Sequence, residues 1–124
     1  MARGFEFGGR RSAPICELKM QDKATNAARE IVARFGTNDP FEIAEKANVS
    51  VVYESWYPTT IGEFERKTRR ILVNTRALED NKNHETLKRA IVAHELAHFF
   101  AAEFKIKKLD EERFAHEFAK ELLK

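Results

Sequence analysis

The stretch Ala90-Ile91-Val92-Ala93-His94-Glu95-Leu96-Ala97-His98-Phe99-Phe100 decides the reading of this chain. It lies in a run from about His84 to Phe104 that holds neither Gly nor Pro. Leu87, Ile91, His94, His98 and Ala101 recur there at steps of four, three, four and three, a single helical stripe. Asn83 suits the N-cap of that helix. Four residues turn a helix by about 400°, so His94 and His98 project from nearly one face. Their ring nitrogens can take adjacent positions around one metal ion. Glu95 stands one step round, near such an ion but not on it. There it can accept a proton from water and pass it to a leaving amine. The bland alternative is a pair of core histidines with an exposed glutamate. Two imidazoles buried side by side need several polar partners, and a metal supplies them most simply.

A catalytic metal needs a third protein ligand and an open position. The candidates are Glu103, Glu111, Glu112, His116 and Glu117. Glu103 lies five residues past His98, about 500° round the helix, and diverges from the histidine face. A last helix, capped by Asp110, is the better source because it can pack antiparallel against the motif helix. Phe114, Ala115, Phe118, Ala119 and Leu122 give it a buried side, and Glu111 and Glu112 border that side. Geometry prefers Glu112, with Glu111 second. The competing role for both is to complement the helix dipole.

Working outward, Ala24, Ala27, Ala28, Ile31, Val32 and Phe35 predict a helix from about Asp22 to Phe35, ended by Gly36. Asp39-Pro40-Phe41-Glu42 predicts a second, short helix to about Ala47, with Asp39 as cap and Glu42 reaching back. Val49 to Tyr53 reads as a strand. Glu63-Phe64-Glu65 and Arg70-Ile71-Leu72-Val73 read as a hairpin joined by a basic turn. The expected architecture is therefore α+β. A small antiparallel or mixed sheet of about three strands packs on the motif helix and the C-terminal ligand helix. Residues 1–20, with three of the five glycines, read as a flexible N-terminal arm, and residues 21–124 as one domain. The two helices and turn between Ala27 and Ser50 superficially resemble a DNA-reading helix-turn-helix. A strand stands where the recognition helix should follow, which argues against it.

Composition bounds the rest. The chain has 124 residues, 43% hydrophobic and 34% charged, which is one domain's worth. Cys16 is the single cysteine, so no internal disulfide or Cys-rich zinc cluster can form, and a reducing cytoplasmic compartment fits. No apolar run reaches the length of a membrane span, and the first residues do not read as a secretion signal. Lys and Arg number 22 against 20 Asp and Glu, a net charge of +2, too small to imply a polyanion partner. Arg10-Arg11 and Arg66-Lys67-Thr68-Arg69-Arg70 read as solvated charge. Neither direct nucleic-acid binding nor membrane binding is expected, and the sequence leaves the oligomeric state open.

Taken together, these segments resemble the ImmA/IrrE-type metallopeptidases, compact zinc proteases of the gluzincin type. The resemblance spans Ala24 to Leu123. It rests on "DPFEIAEKANVSVVYE", on "RRILVN" as the strand before the motif helix, on "AIVAHELAHFF", and on "EERFAHEFAKELL". The last is similar to the family's E-x-x-A-x-x-F-A-x-x-L-L element, carried here by Glu112, Ala115, Phe118, Ala119, Leu122 and Leu123. The resemblance implies that Glu112 is the third zinc ligand, beside His94 and His98, with Glu95 as general base. Two departures stand out. His116 occupies a place where the family often has Asn, which makes it a candidate to hydrogen-bond a metal ligand from behind or a competitor for the metal. The Met-Pro that often follows the Leu pair is not in the sequence.

The activity implied is metal-assisted peptide hydrolysis, with the substrate backbone paired to an exposed edge strand, one of 61–66 or 70–74. The resemblance further implies a cytoplasmic endopeptidase of narrow specificity. Its substrate would be a helix-turn-helix transcriptional repressor, making the protein an anti-repressor. The alternative is a non-catalytic, metal-holding binding module, such as a partner in a toxin–antitoxin-like pair. Zn2+ suits the ligands best, with Mn2+ as the second choice. Tyr53, Tyr57, His84 and His116 stand as equal candidates for an auxiliary oxyanion donor.

Overall fold

The structure, a computed structural model, describes residues 15–56, 60–79 and 82–124, with side chains from residue 19 onward. It is α+β: five α-helices and a three-stranded mixed sheet, open at both edges. The helices are α1 (Ile15–Phe35), α2 (Pro40–Lys46), α3 (Thr75–Glu79), α4 (His84–Ala101) and α5 (Glu111–Leu122). The strands are β1 (Ser50–Glu54), β2 (Gly62–Glu65) and β3 (Arg70–Asn74), and a 3-10 turn over Lys108–Asp110 leads into α5. No helix among the described residues is long and apolar enough to cross a membrane.

Helix α1 is already formed at Ile15, ahead of the expected start near Asp22, so the end of the expected arm is helical. The rest of that arm, up to residue 14, lies outside the described residues. Ala24, Ala27, Ala28 and Ile31 are all buried, as their spacing predicts. Gly36 then takes φ +72 and ends the helix, with its N–H on the Val32 carbonyl at 2.8 Å. Asp39 caps α2 by accepting from Phe41 N–H at 2.9 Å. Glu42 reaches back to the Thr37 hydroxyl (2.5 Å), which in turn accepts from Asp39 N–H at 3.0 Å. The expected acid therefore works through a threonine and not on the backbone. A strand follows α2, as expected, and not a recognition helix.

The sheet order is β1-β3-β2, with β1 parallel and β2 antiparallel to β3. This corrects one alternative: residues 70–74 form the central strand, paired on both sides, so only 62–65 can offer an edge near the motif helix. Ile71, Val73 and Asn74 are fully buried, as a strand covered on both faces requires. Asn74 N–H donates to the Ile61 carbonyl at 3.0 Å, which sets the phase of the ladder. Residues 61, 63 and 65 therefore turn their backbone groups toward β3, while Gly62 and Phe64 turn theirs to the open edge.

Helix α4 is central, packed on β2 and β3 on one side and on α5 on the other, and α5 also packs on α1. A chain of rings ties these layers together. Phe35 of α1 lies 6.2 Å from Phe100 of α4, Phe100 lies 6.2 Å from Phe118 of α5, and Phe99 lies 5.6 Å from Phe64 of β2. Fully burying such a ring stabilises by roughly 1.5–3 kcal/mol relative to leaving it exposed. The buried Asn74 is satisfied by its surroundings. Its Oδ1 accepts from Trp56 N–H and Arg76 N–H, and its Nδ2 donates to the Thr60 carbonyl at 3.0 Å. It thereby ties the segments on either side of residues 57–59 to the end of β3.

The contact of β2 with α4 depends on Gly62. A Cβ there would fall inside contact distance of Ile91 Cγ2 and 3.6 Å from Glu95 Cγ. Ile91 is buried and branched at Cβ, so its Cγ2 methyl cannot swing aside. Gly62→Ala is expected to destabilise the fold by about 1–3 kcal/mol, the usual range for overpacking. Urea denaturation checks this, and an unchanged midpoint would contradict so close an approach.

Candidate metal centre

His94 and His98 sit one turn apart on α4, ring centroids 5.1 Å apart, at the side of the helix facing the first turn of α5. That turn brings Glu112 over both rings. Its Oε2 lies 3.3 Å from His94 Nε2 and its Oε1 2.9 Å from His98 Nε2. One ligand atom from each of the three residues falls within 4.8 Å of the others. A tetrahedral zinc with bonds of about 2.0–2.1 Å needs its ligand atoms roughly 3.3 Å apart. Each imidazole lies at about that distance or a little less from one Glu112 oxygen, Oε2 for His94 and Oε1 for His98. Two imidazoles and a carboxylate are a borderline-soft nitrogen and oxygen set of the kind zinc takes in catalytic sites. The residues present therefore fit the ion that the spacing of His94 and His98 suggests.

Other candidates fall elsewhere. Glu103 points away from the site and pairs with Arg34 of α1 (Nη1 to Oε1, 3.0 Å). Glu117 is paired with Lys120 at 3.5 Å. Glu111, the second choice for ligand, does not face the same point as the other three. Its Oε1 lies 2.7 Å from Nδ1 of His98, on the opposite side of the ring from Glu112. His116, one turn beyond Glu112, lines the cavity beside the site. Tyr53 is on β1 with Lys88 over its ring, and His84 opens α4, so neither reaches the centre; Tyr57 lies outside the described residues.

Neither expected cap is a side-chain cap. Asn83 holds the start of α4 through its backbone carbonyl, which accepts from Leu87 N–H at 3.0 Å. Asp110 stands at the start of α5 as the last residue of the 3-10 turn. That turn delivers Glu111 and Glu112 at the first two positions of α5, where the helix dipole also favours their charge.

Glu95 is the buried acid of the site, 8% exposed, although a surface glutamate would be the ordinary outcome for a helix of this composition. Its carboxylate accepts a hydrogen bond from Phe64 N–H, one of the groups on the open edge of β2. Burial pushes its pKa up, to about 7, with the His98 side chain opposing and Glu112 and Glu63 reinforcing the rise. Burial likewise lowers the pKa of His94, offset in part by Glu112. In the metal-free protein, burial thus favours the protonated form of Glu95 and the neutral form of His94.

Two cavities open on either side of these residues along β2. One, of about 640 Å³, is lined by Ile61, Ile91, Ala119 and Leu123, with His94, Glu95 and Glu112 at its inner end. The other, of about 430 Å³, is lined by Glu63, Phe64, Arg66 and Lys108, with Glu95, His98 and Glu112 at the same junction. The result is a cleft that is apolar toward Ile61 and charged toward Arg66. The contribution of Gly62 was not legible beforehand, since a lone glycine reads only as a breaker. No protein family, curated protein or solved structure matches this chain.

The raised pKa of Glu95 has a consequence for stability. The native metal-free protein holds this proton more tightly than the unfolded chain, so the group favours folding below the usual 4.5, and that contribution is lost as pH rises through about 7. Relative to Glu95→Gln, the metal-free parent is expected to lose up to about 3 kcal/mol between about pH 4 and about pH 8. Urea denaturation of both proteins across that range measures the difference, and a flat difference would contradict the burial of the charge.

Proposed function

We propose that this protein is a zinc-dependent endopeptidase of narrow specificity that binds its substrate in extended form along β2. The observation that carries the reading is the convergence of His94, His98 and Glu112 beside a buried Glu95 at the foot of an open strand edge. His94, His98 and Glu112 would hold the ion. When bound, zinc supplies Lewis acidity to the scissile carbonyl and makes water acidic enough to be deprotonated near neutral pH.

The protein's own groups account for the remainder. The outward-facing backbone groups of Gly62 and the Phe64 carbonyl can pair with a peptide added as a further strand, while Phe64 N–H stays with Glu95. Glu95 lies against that same edge, so a proton taken from water there is delivered next to the bond being cut. Ile61, Ile91 and Leu123 offer an apolar wall to substrate side chains on one half of the cleft.

The resemblance to the ImmA/IrrE-type peptidases supports a helix-turn-helix repressor as the substrate, with an anti-repressor role in the cytoplasm. Incubating zinc-loaded protein with the repressor encoded beside it is expected to give one discrete pair of fragments. Glu95→Gln is expected to slow cleavage by about 10²–10⁴-fold while its zinc content, read by elemental analysis, stays at that of the parent. Equal cleavage by the variant would remove Glu95 as the base. A stable complex with an uncleaved repressor would favour a binding module over an enzyme.

A further inference from the structure

We infer that Glu111 is a positioning residue of this centre, which orients His98 and so sets the affinity for the metal, with Arg66 bracing both. The inference rests on reading His94, His98 and Glu112 as the ligands. Glu111 and Glu112 are neighbours in sequence, yet they grip opposite nitrogens of one ring. Consecutive helical residues diverge by about 100°, and this divergence lets one carboxylate reach Nδ1 while the next reaches Nε2. The distances divide their roles. Glu112 Oε1 is 2.9 Å from His98 Nε2 while its Oε2 is 3.3 Å from His94 Nε2, so it faces both imidazoles. Glu111 Oε1 is 2.7 Å from Nδ1 of His98.

An imidazole offers a metal only one nitrogen. When Nδ1–H donates to a carboxylate, the tautomer is fixed, the ring cannot rotate, and the free lone pair is left on Nε2. The two acids also differ in setting. The side chain of Glu111 is 13% exposed and that of Glu112 78%, as expected for one group packed behind the ring and another presented to the cleft.

Arg66, from the turn after β2, touches the same histidine by two routes. Its Nη2 donates to the His98 carbonyl at 3.3 Å and lies 3.9 Å from Glu111 Oε1, while its guanidinium sits 5.5 Å over the Phe64 ring. The basic turn thus braces the last turn of α4 and the carboxylate behind its second imidazole.

The test is zinc affinity of the full chain, measured by competition with a chromophoric chelator, together with the visible spectrum of the cobalt(II)-loaded protein. Glu111→Ala is expected to weaken zinc binding by about 10–100-fold and to alter the cobalt bands without removing them. Glu111→Gln keeps an oxygen that can accept from Nδ1–H, and should recover most of that loss. Arg66→Ala should weaken binding by about 5-fold or less, as for an exposed pair. Glu112→Ala should remove the cobalt bands altogether.

Parental affinity in Glu111→Ala would overturn the inference. So would a loss as complete as that of Glu112→Ala, which would make Glu111 a ligand, or a Glu111→Gln as weak as Glu111→Ala. Should Glu111→Ala fail to fold, judged by its metal-free melting curve, Glu111→Ser, whose side chain is too short to reach Nδ1, takes its place, and parental zinc affinity in that variant would overturn it. A parent that binds neither zinc nor cobalt would take away the ligand reading and this inference with it. A parent that binds both, with no effect at Glu111, would remove the inference alone.

Discussion

The site depends on the apolar seam between α4 and α5. Phe100 and Phe118 stack across it at 6.2 Å, Phe104 lies 6.4 Å from Phe114, and Phe114 and Phe118 are fully buried. Small residues at Ala93, Ala97, Ala101 and Ala115 lie in the same core. Glu112 is mostly exposed and has no packing of its own to place it. Its position over the two imidazoles follows from where the seam sets the first turn of α5. The aromatic packing thus holds an exposed carboxylate opposite the pair of rings, and the 3-10 turn sets the rotational phase.

The same fold gives three acids around the two histidines different characters. Glu112 is solvated and faces both imidazoles. Glu111 is largely covered and holds the far side of one ring. Glu95 is buried against the edge of β2, where burial lifts its pKa and Phe64 N–H anchors it. Composition treats these residues alike, and only their surroundings distinguish them. Gly62 belongs to this arrangement, because without its close approach to Ile91 the open edge of β2 would stand farther from Glu95.

Much of this was legible in the sequence. Long periodic segments gave α1, α4 and α5 and their buried faces, and the Asp-Pro start gave α2. The β-branched run over 49–53 and the hairpin on either side of the basic turn gave all three strands within a residue. The step of four between His94 and His98 placed both imidazoles together, and spacing alone preferred Glu112. What escaped was tertiary in origin. Which strand of the hairpin is central depends on β1 pairing in parallel with β3, which no local pattern encodes. The short helix at Thr75–Glu79 follows from Asn74, whose side chain accepts from Arg76 N–H. The role of Glu111 turns on a 100° difference in direction that sequence spacing could only rank.

The central claim is that α4 and α5 clamp one divalent cation through two imidazoles and a carboxylate. X-ray absorption spectroscopy of the protein loaded with zinc tests it most directly. The account predicts one zinc per chain in a shell of nitrogen and oxygen neighbours at about 2.0–2.1 Å, with the outer-shell scattering of two imidazole rings. A zinc surrounded by water oxygens, without imidazole scattering or well below one ion per chain, would contradict it.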